Sequence, residues 1–120
     1  MKNLSPKELQ LMHLLWRMEK AFVKELVEQF PDPKPHYNTI STTIRVLEEK
    51  GYVSHESFGQ AHRYFPLIRK EEYQSTAIGD VLKTYFDNSY PKMVAYFAKE
   101  EKISPEELKD ILRMIANKES

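Results

Sequence analysis

The chain has no cysteine among its 120 residues. Disulfide frameworks and thiolate metal sites are excluded, and a reducing cytosol suits such a chain. Long apolar runs are also missing. The start, "MKNLSPKELQLMHLLW", is broken by charges and by His13, unlike a signal peptide, and no segment is apolar over the length of a membrane span. The expectation is a cytoplasmic protein with no direct membrane insertion. Glycine occurs three times, and no phosphate loop or nucleophile elbow is built from it. Ser41 has no histidine or acid placed to activate it. With no metal cluster, base–nucleophile pair or cofactor motif, the expectation is a non-enzyme that carries no cofactor.

An excess of one charge is absent as well: 18 Lys+Arg face 18 Asp+Glu. The distribution is uneven. Residues 1–70 hold 11 Lys+Arg, 8 Asp+Glu and all four histidines, whereas residues 71–120 hold 7 Lys+Arg and 10 Asp+Glu. A basic head and an acidic tail suit a polyanion-binding unit joined to one with another task. A solvated surface of both signs is the bland alternative.

What is present is strong helix punctuation. "LSPKEL" places Ser5 as N-cap, Pro6 at the first helical position, Glu8 as the return arm of a capping box, and Leu4 and Leu9 as a staple. The helix runs to about Met18, with Leu9, Met12, Leu15 and Trp16 along one side; Trp16 reads as core. A second helix is expected over Phe22–Phe30, ended by "PDPKP". A third covers about Asn38–Lys50, with Gly51 as a left-handed cap. "YVSHESF" and "HRYFPLI" around "GQA" predict a β-hairpin. Beyond Arg69 the pattern is helical: about Lys70–Phe86, Pro91–Lys99, and a helix opened by "ISPEEL", where Ser104 and Glu107 repeat the capping logic, that runs to about Ala116. The fold class is mainly α with a small β-hairpin: a winged helix-turn-helix head, 1–68, plus a helical dimerisation tail, 69–120.

The third helix carries the chemistry. Ile40, Ile44 and Leu47 are spaced for the core. Asn38, Ser41, Thr42 and Arg45 line the other side, and Thr39 shares their first turns. Hydroxyl side chains are mediocre helix formers, but they let a backbone approach base edges and phosphates closely. Arg45 suits a guanine or phosphate, and Asn38 an adenine or phosphate. A solvated Arg45 paired with Glu48 or Glu49 is the plainer reading. Lys34 in the Pro-rich loop, Tyr37 before the helix, and His62 and Arg63 on the wing add candidate backbone contacts, with Phe58 and Gly59 at the wing tip. His55, Glu56 and His62 are conceivable as a metal site, but surface histidines on strands are the stronger reading, and no metal is expected.

The tail holds too many apolar residues for its size. Leu82, Tyr85, Phe86, Met93, Val94, Phe97, Leu108, Ile111, Leu112 and Ile115 exceed what three short helices can bury alone. A second copy is the economical partner, through an isologous interface. Two heads on a two-fold axis predict a palindromic operator on double-stranded DNA. The rival readings are a winged-helix protein–protein interaction module and a small-ligand-responsive regulator.

"YNTISTTIRVLEEKGYV" followed by "HRYFPLI", with "SPKELQLMHLLW" before and "MVAYFAKEEKISPEELKDILRMI" after, resembles the penicillinase-repressor family of transcriptional regulators (BlaI/MecI/CopY) over nearly the whole chain. The resemblance implies a dimeric, cytoplasmic bacterial repressor that binds an inverted-repeat operator. It also implies a partner, a membrane-bound sensor metalloprotease that triggers proteolysis within the dimerisation helices. The family's Asn-Phe cleavage bond matches Tyr96-Phe97 here, where the Phe is kept and the Asn is not. Tyr96 and Phe97 as dimer core is the competing reading. The family's copper-responsive branch carries cysteine motifs that this chain lacks, which rules out thiolate copper sensing.

Overall fold

The computed structural model describes residues 4–119, without the side chains of Ile115, Lys118 and Glu119. Its elements run α1 (Pro6–Met18), β1 (Ala21–Phe22), α2 (Val23–Glu28), α3 (Tyr37–Glu49), β2 (Val53–Phe58), β3 (Ala61–Pro66), α4 (Lys70–Tyr85), α5 (Tyr90–Lys99) and α6 (Pro105–Glu119). The chain divides into two compact units, one up to Ser75 and one from Thr76 on. The boundary falls within α4.

The first unit is built on local rules that agree with one another. Ser5 Oγ accepts the Glu8 N–H at 3.2 Å, and Glu8 Oε1 accepts the Ser5 N–H at 2.7 Å, which closes the capping box of α1. Leu11, Met12 and Leu15 of α1, Leu26 of α2, Ile40, Ile44 and Leu47 of α3, and Tyr52, Val53 and Tyr64 form one buried core. Trp16 packs against that core, and its indole N–H donates to the Ile68 carbonyl at 2.8 Å. An indole partly withdrawn from water gains from such a partner.

α3 ends in a Schellman motif. The Gly51 N–H donates to Glu48 O and the Tyr52 N–H to Leu47 O, both at 3.0 Å, while Gly51 takes φ 85°. Glycine adopts that conformation without a steric penalty. Next to this cap, Lys50 Nζ reaches both Glu8 oxygens at 2.8 and 2.9 Å, joining the C-terminal end of α3 to the first turn of α1. Burial pushes the Glu8 carboxyl up, but the Lys50 ammonium and the Ser5 N–H and hydroxyl outweigh it and hold the group below its ordinary 4.5.

Two expectations need correction. The second helix does not start at Phe22 or reach Phe30. Ala21 and Phe22 are extended and pair with Tyr64 and Arg63, so the hairpin becomes a three-stranded antiparallel sheet in the order β1-β3-β2. A two-residue strand is too short to leave a period in the sequence. Tyr37 is the first residue of α3 rather than the residue before it. The wing follows the expected plan: Phe58 pairs with Ala61 across Gly59 and Gln60, with Gly59 at φ 62° in the first turn position. That is the position of a two-residue hairpin turn that favours glycine. Three helices followed by a sheet with a protruding hairpin is the winged helix-turn-helix arrangement.

In the second unit, Ser104 and Glu107 form the same reciprocal box as Ser5 and Glu8, at 3.1 and 2.9 Å. Ser89 caps α5 by accepting the Lys92 N–H. Phe86, Tyr96 and Phe97 meet with ring centroids 5.5 to 6.4 Å apart. Leu82 is buried, but Tyr85 is 74% exposed and Leu112 65%, and Val81, Val94, Ile111 and Met114 are also open to solvent. Of the expected interface residues, the Ile115 side chain lies outside the described residues.

Candidate nucleic-acid interface

The exposed side of α3 and the wing enclose a polar groove of about 250 Å³, lined by Val23, Tyr37, Ser41, Arg45, Gln60, His62 and Tyr64. Helical spacing puts Tyr37, Ser41 and Arg45 in one row, at i, i+4 and i+8. Strand alternation puts His62 and Tyr64 on the sheet face toward that row. The groove therefore joins residues of α3 to wing residues that lie fifteen or more positions further along the chain.

Arg45 is held toward the groove from within its own helix, its Nη2 donating to Ser41 Oγ at 3.0 Å. The expected alternative pairing with Glu48 is pre-empted. Glu48 Oε2 instead lies 2.6 Å from His55 Nδ1, binding α3 to β2. His55 stacks on His62 with centroids 4.0 Å apart. Burial pushes the Tyr64 hydroxyl above its ordinary 10; Glu48 and Tyr37 add to the rise and Arg45 opposes it. The first turn of α3 carries no acid. An exposed guanidinium, hydroxyls and amides and a helix N-terminus without acids make a surface that can accept a phosphate-lined strand.

The other sequence candidates are distributed differently. Asn38 and Thr42 are exposed on α3 beside this row. Thr39 lines a separate hollow of about 130 Å³ with Lys7, Phe30, Pro35 and Thr43, on the α1 side of the helix. Lys34 turns back on its own chain, its Nζ donating to Glu28 O at 3.1 Å and Phe30 O at 3.0 Å, where it caps the end of α2. Arg63 lies on the sheet face opposite His62. There it stands 3.6 Å from Glu56 and 4.9 Å from the Phe58 ring, and its Nε is buried without a hydrogen-bond partner. Glu56 shares that face, bound to Lys20 at 3.0 Å, so it does not join His55 and His62. Among the described residues no group of three or more ligand-type side chains could hold a metal ion. Gln60 and Tyr64 are lining residues that sequence reasoning missed. The tight turn at "GQA" was the available signal for Gln60, and alternation from His62 was the signal for Tyr64.

Similarity to known proteins extends over nearly the whole chain. The model of the penicillinase repressor family matches residues 4–117. The methicillin resistance regulatory protein MecI of Staphylococcus aureus is 22% identical over 117 residues, covering 97% of this chain and 94% of MecI. MecI of Mammaliicoccus sciuri is 23% identical over 119 residues, with coverage of 97% and 94%. The solution structure of the DNA-binding domain of the repressor BlaI superposes with a TM-score of 0.52 and 26% identity, covering 61% of this chain and 94% of that domain.

Proposed function

The chain belongs to the penicillinase repressor family of DNA-binding transcriptional repressors, and from that premise we propose that it acts as a homodimer on a palindromic operator in the bacterial cytoplasm. The observation that carries this reading is the groove in which Tyr37, Ser41 and Arg45 of α3 face Gln60 and His62 of the wing. In this reading α3 enters the major groove. Arg45, steadied by Ser41, contacts a guanine edge or a phosphate, Asn38 and Thr42 flank it, and Gln60 and His62 reach the neighbouring backbone. Arg63 and Lys34 hold the wing and the α2–α3 loop in place.

The exposed apolar residues of the second unit, Tyr85, Val94, Ile111, Leu112 and Met114 among them, support pairing with a second copy, since a lone chain seldom leaves so much apolar surface to water. Two heads related by a two-fold axis read half-sites about 10 base pairs apart, or a multiple of that. Relief by a membrane-bound sensor metalloprotease is the family route carried over from the resemblance. Tyr96-Phe97 lies inside α5, and a cut there would require that helix to open locally.

Titration of the full chain against its own upstream promoter fragment at two salt concentrations tests the reading. Retardation that weakens with salt, is lost in Arg45→Ala and is absent on scrambled DNA is the expected result. Equal binding to both DNAs would refute it.

A further inference from the structure

The sheet face beside α3 carries more than the groove lining. Register sets His55 of β2 opposite Tyr64 of β3, and His62, two residues before Tyr64, stands diagonally on the same face. The His55 and His62 rings are nearly parallel, 8° apart in plane with centroids 4.0 Å apart. Behind His55, Glu48 Oε2 of α3 lies 2.6 Å from His55 Nδ1. A carboxylate only accepts, so Nδ1 carries a proton in this contact and the His55 ring is fixed in orientation. Glu48, His55 and His62 form a row. Its outer member, His62, is exposed and lines the groove.

We propose, on the reading of this groove as the DNA site, that the row couples operator binding to proton uptake: His62 takes a proton from solvent as a DNA phosphate enters, and His55, held by Glu48, is the positioning residue for its ring. The groups around His62 set the direction. They are the His55 ring from β2, Tyr64 from its own strand, and Arg45 and Tyr37 from α3, with Glu48 behind His55. Glu56 and Arg63 pair on the opposite sheet face. Glu48 is the one anion of the set, and it is engaged by His55. A charge on His62 is therefore opposed by Arg45, and by His55 whenever that ring is itself protonated. A phosphate supplies the missing anion at the outer end of the row. It favours the charged imidazole, which then donates a charge-assisted hydrogen bond to it. Binding and protonation strengthen each other by the same factor. Histidine, with an ordinary pKa of about 6.5, makes this exchange near neutral pH.

Calorimetric titration of the full chain with its upstream promoter fragment, in two buffers of unlike ionisation enthalpy near neutral pH, counts the protons taken up. Wild type should take up roughly half a proton per protomer more than His62→Gln, which keeps a polar side chain that does not titrate. The difference between the two removes any contribution from His13 and His36. At fixed salt the wild-type Kd should tighten about tenfold from about pH 8 to about pH 6, and the His62→Gln profile should be flatter. His55→Ala should lower the uptake, and His55→Phe, which keeps a ring against His62, should restore part of it. Trp16 fluorescence checks that each variant is folded. Equal uptake by wild type and His62→Gln, or uptake that His55→Ala leaves unchanged, overturns the proposal while specific retardation of the promoter leaves the operator reading standing. Wild type that binds promoter and scrambled DNA equally at both pH values overturns both.

Discussion

Replacing Lys50 by Met tests what orients the third helix. Glu8 is 6% exposed and already accepts the Ser5 N–H. The Lys50 ammonium reaches both its oxygens at 2.8 and 2.9 Å. A hydrogen bond to a charged group contributes about 1.5–3 kcal/mol, and breaking a fully buried pair costs about 3–5 kcal/mol. Lys50 keeps some access to water, so the expected loss in Lys50→Met at neutral pH is about 2–3 kcal/mol. The sign of the pH dependence follows from Glu8, whose folded pKa lies below its ordinary 4.5. Its contribution is fully present above the unfolded value and is lost as pH falls through the folded one. The gap between wild type and Lys50→Met should thus be widest at neutral pH and shrink under acid conditions, leaving only the packing of the Lys50 stem. Urea denaturation followed by selective Trp16 fluorescence reads the first unit alone, because the only tryptophan is there. A gap that stays constant from neutral pH to well below 4 would refute the pairing argument and assign the loss to the aliphatic stem.

Arg45→Ala should raise the operator Kd by about 5- to 150-fold, the equivalent of about 1–3 kcal/mol, and Lys34→Ala should change it far less; fluorescence anisotropy at fixed salt separates the two. Gly51→Ala should cost about 1–2 kcal/mol through its left-handed backbone alone, since an added Cβ meets nothing within 4 Å. Gly51→Asn should cost less, and equal losses in the two denaturation curves would discount the conformational explanation. Leu112→Glu with Tyr85→Glu should shift the chain from dimer to monomer in sedimentation while the Trp16 unfolding midpoint holds. An unchanged mass would remove these residues from the interface.

How much of this was legible in the sequence depended on the range of the interaction behind each feature. Capping boxes are written within four residues, and both "SPKE" and "SPEE" fold as boxes. The split of α3 into Ile40, Ile44 and Leu47 inside and Asn38, Ser41, Thr42 and Arg45 outside follows from helical period, and burial matches it, with Ser41 half-buried where the wing faces it. β1 was missed because its two residues are extended only through pairing with Tyr64 and Arg63, more than forty positions away. Period and propensity carry no trace of such a partner.

The side chains of the site divide in the same way. His62 and Arg63 are neighbours in sequence with similar chemistry, so composition treats them alike, yet a strand sends them to opposite faces. His62 faces α3, while Arg63 is drawn toward Phe58 and Glu56. The register of β3 decides which of the two lines the groove beside α3, and that register rests on pairing with β2 and β1 together. Lys34 makes the same point from a loop. Its charge suggested a phosphate, but the carbonyls at the end of α2 lie within one side-chain length and take its ammonium. The free carbonyls of a helix C-terminus attract a cation wherever the chain turns back within reach. A basic residue shortly after a helix end is therefore weak evidence for a nucleic-acid contact. One on the exposed row of a helix, like Arg45, is much stronger, because the carbonyls of its own helix are already bonded and its guanidinium is left facing outward.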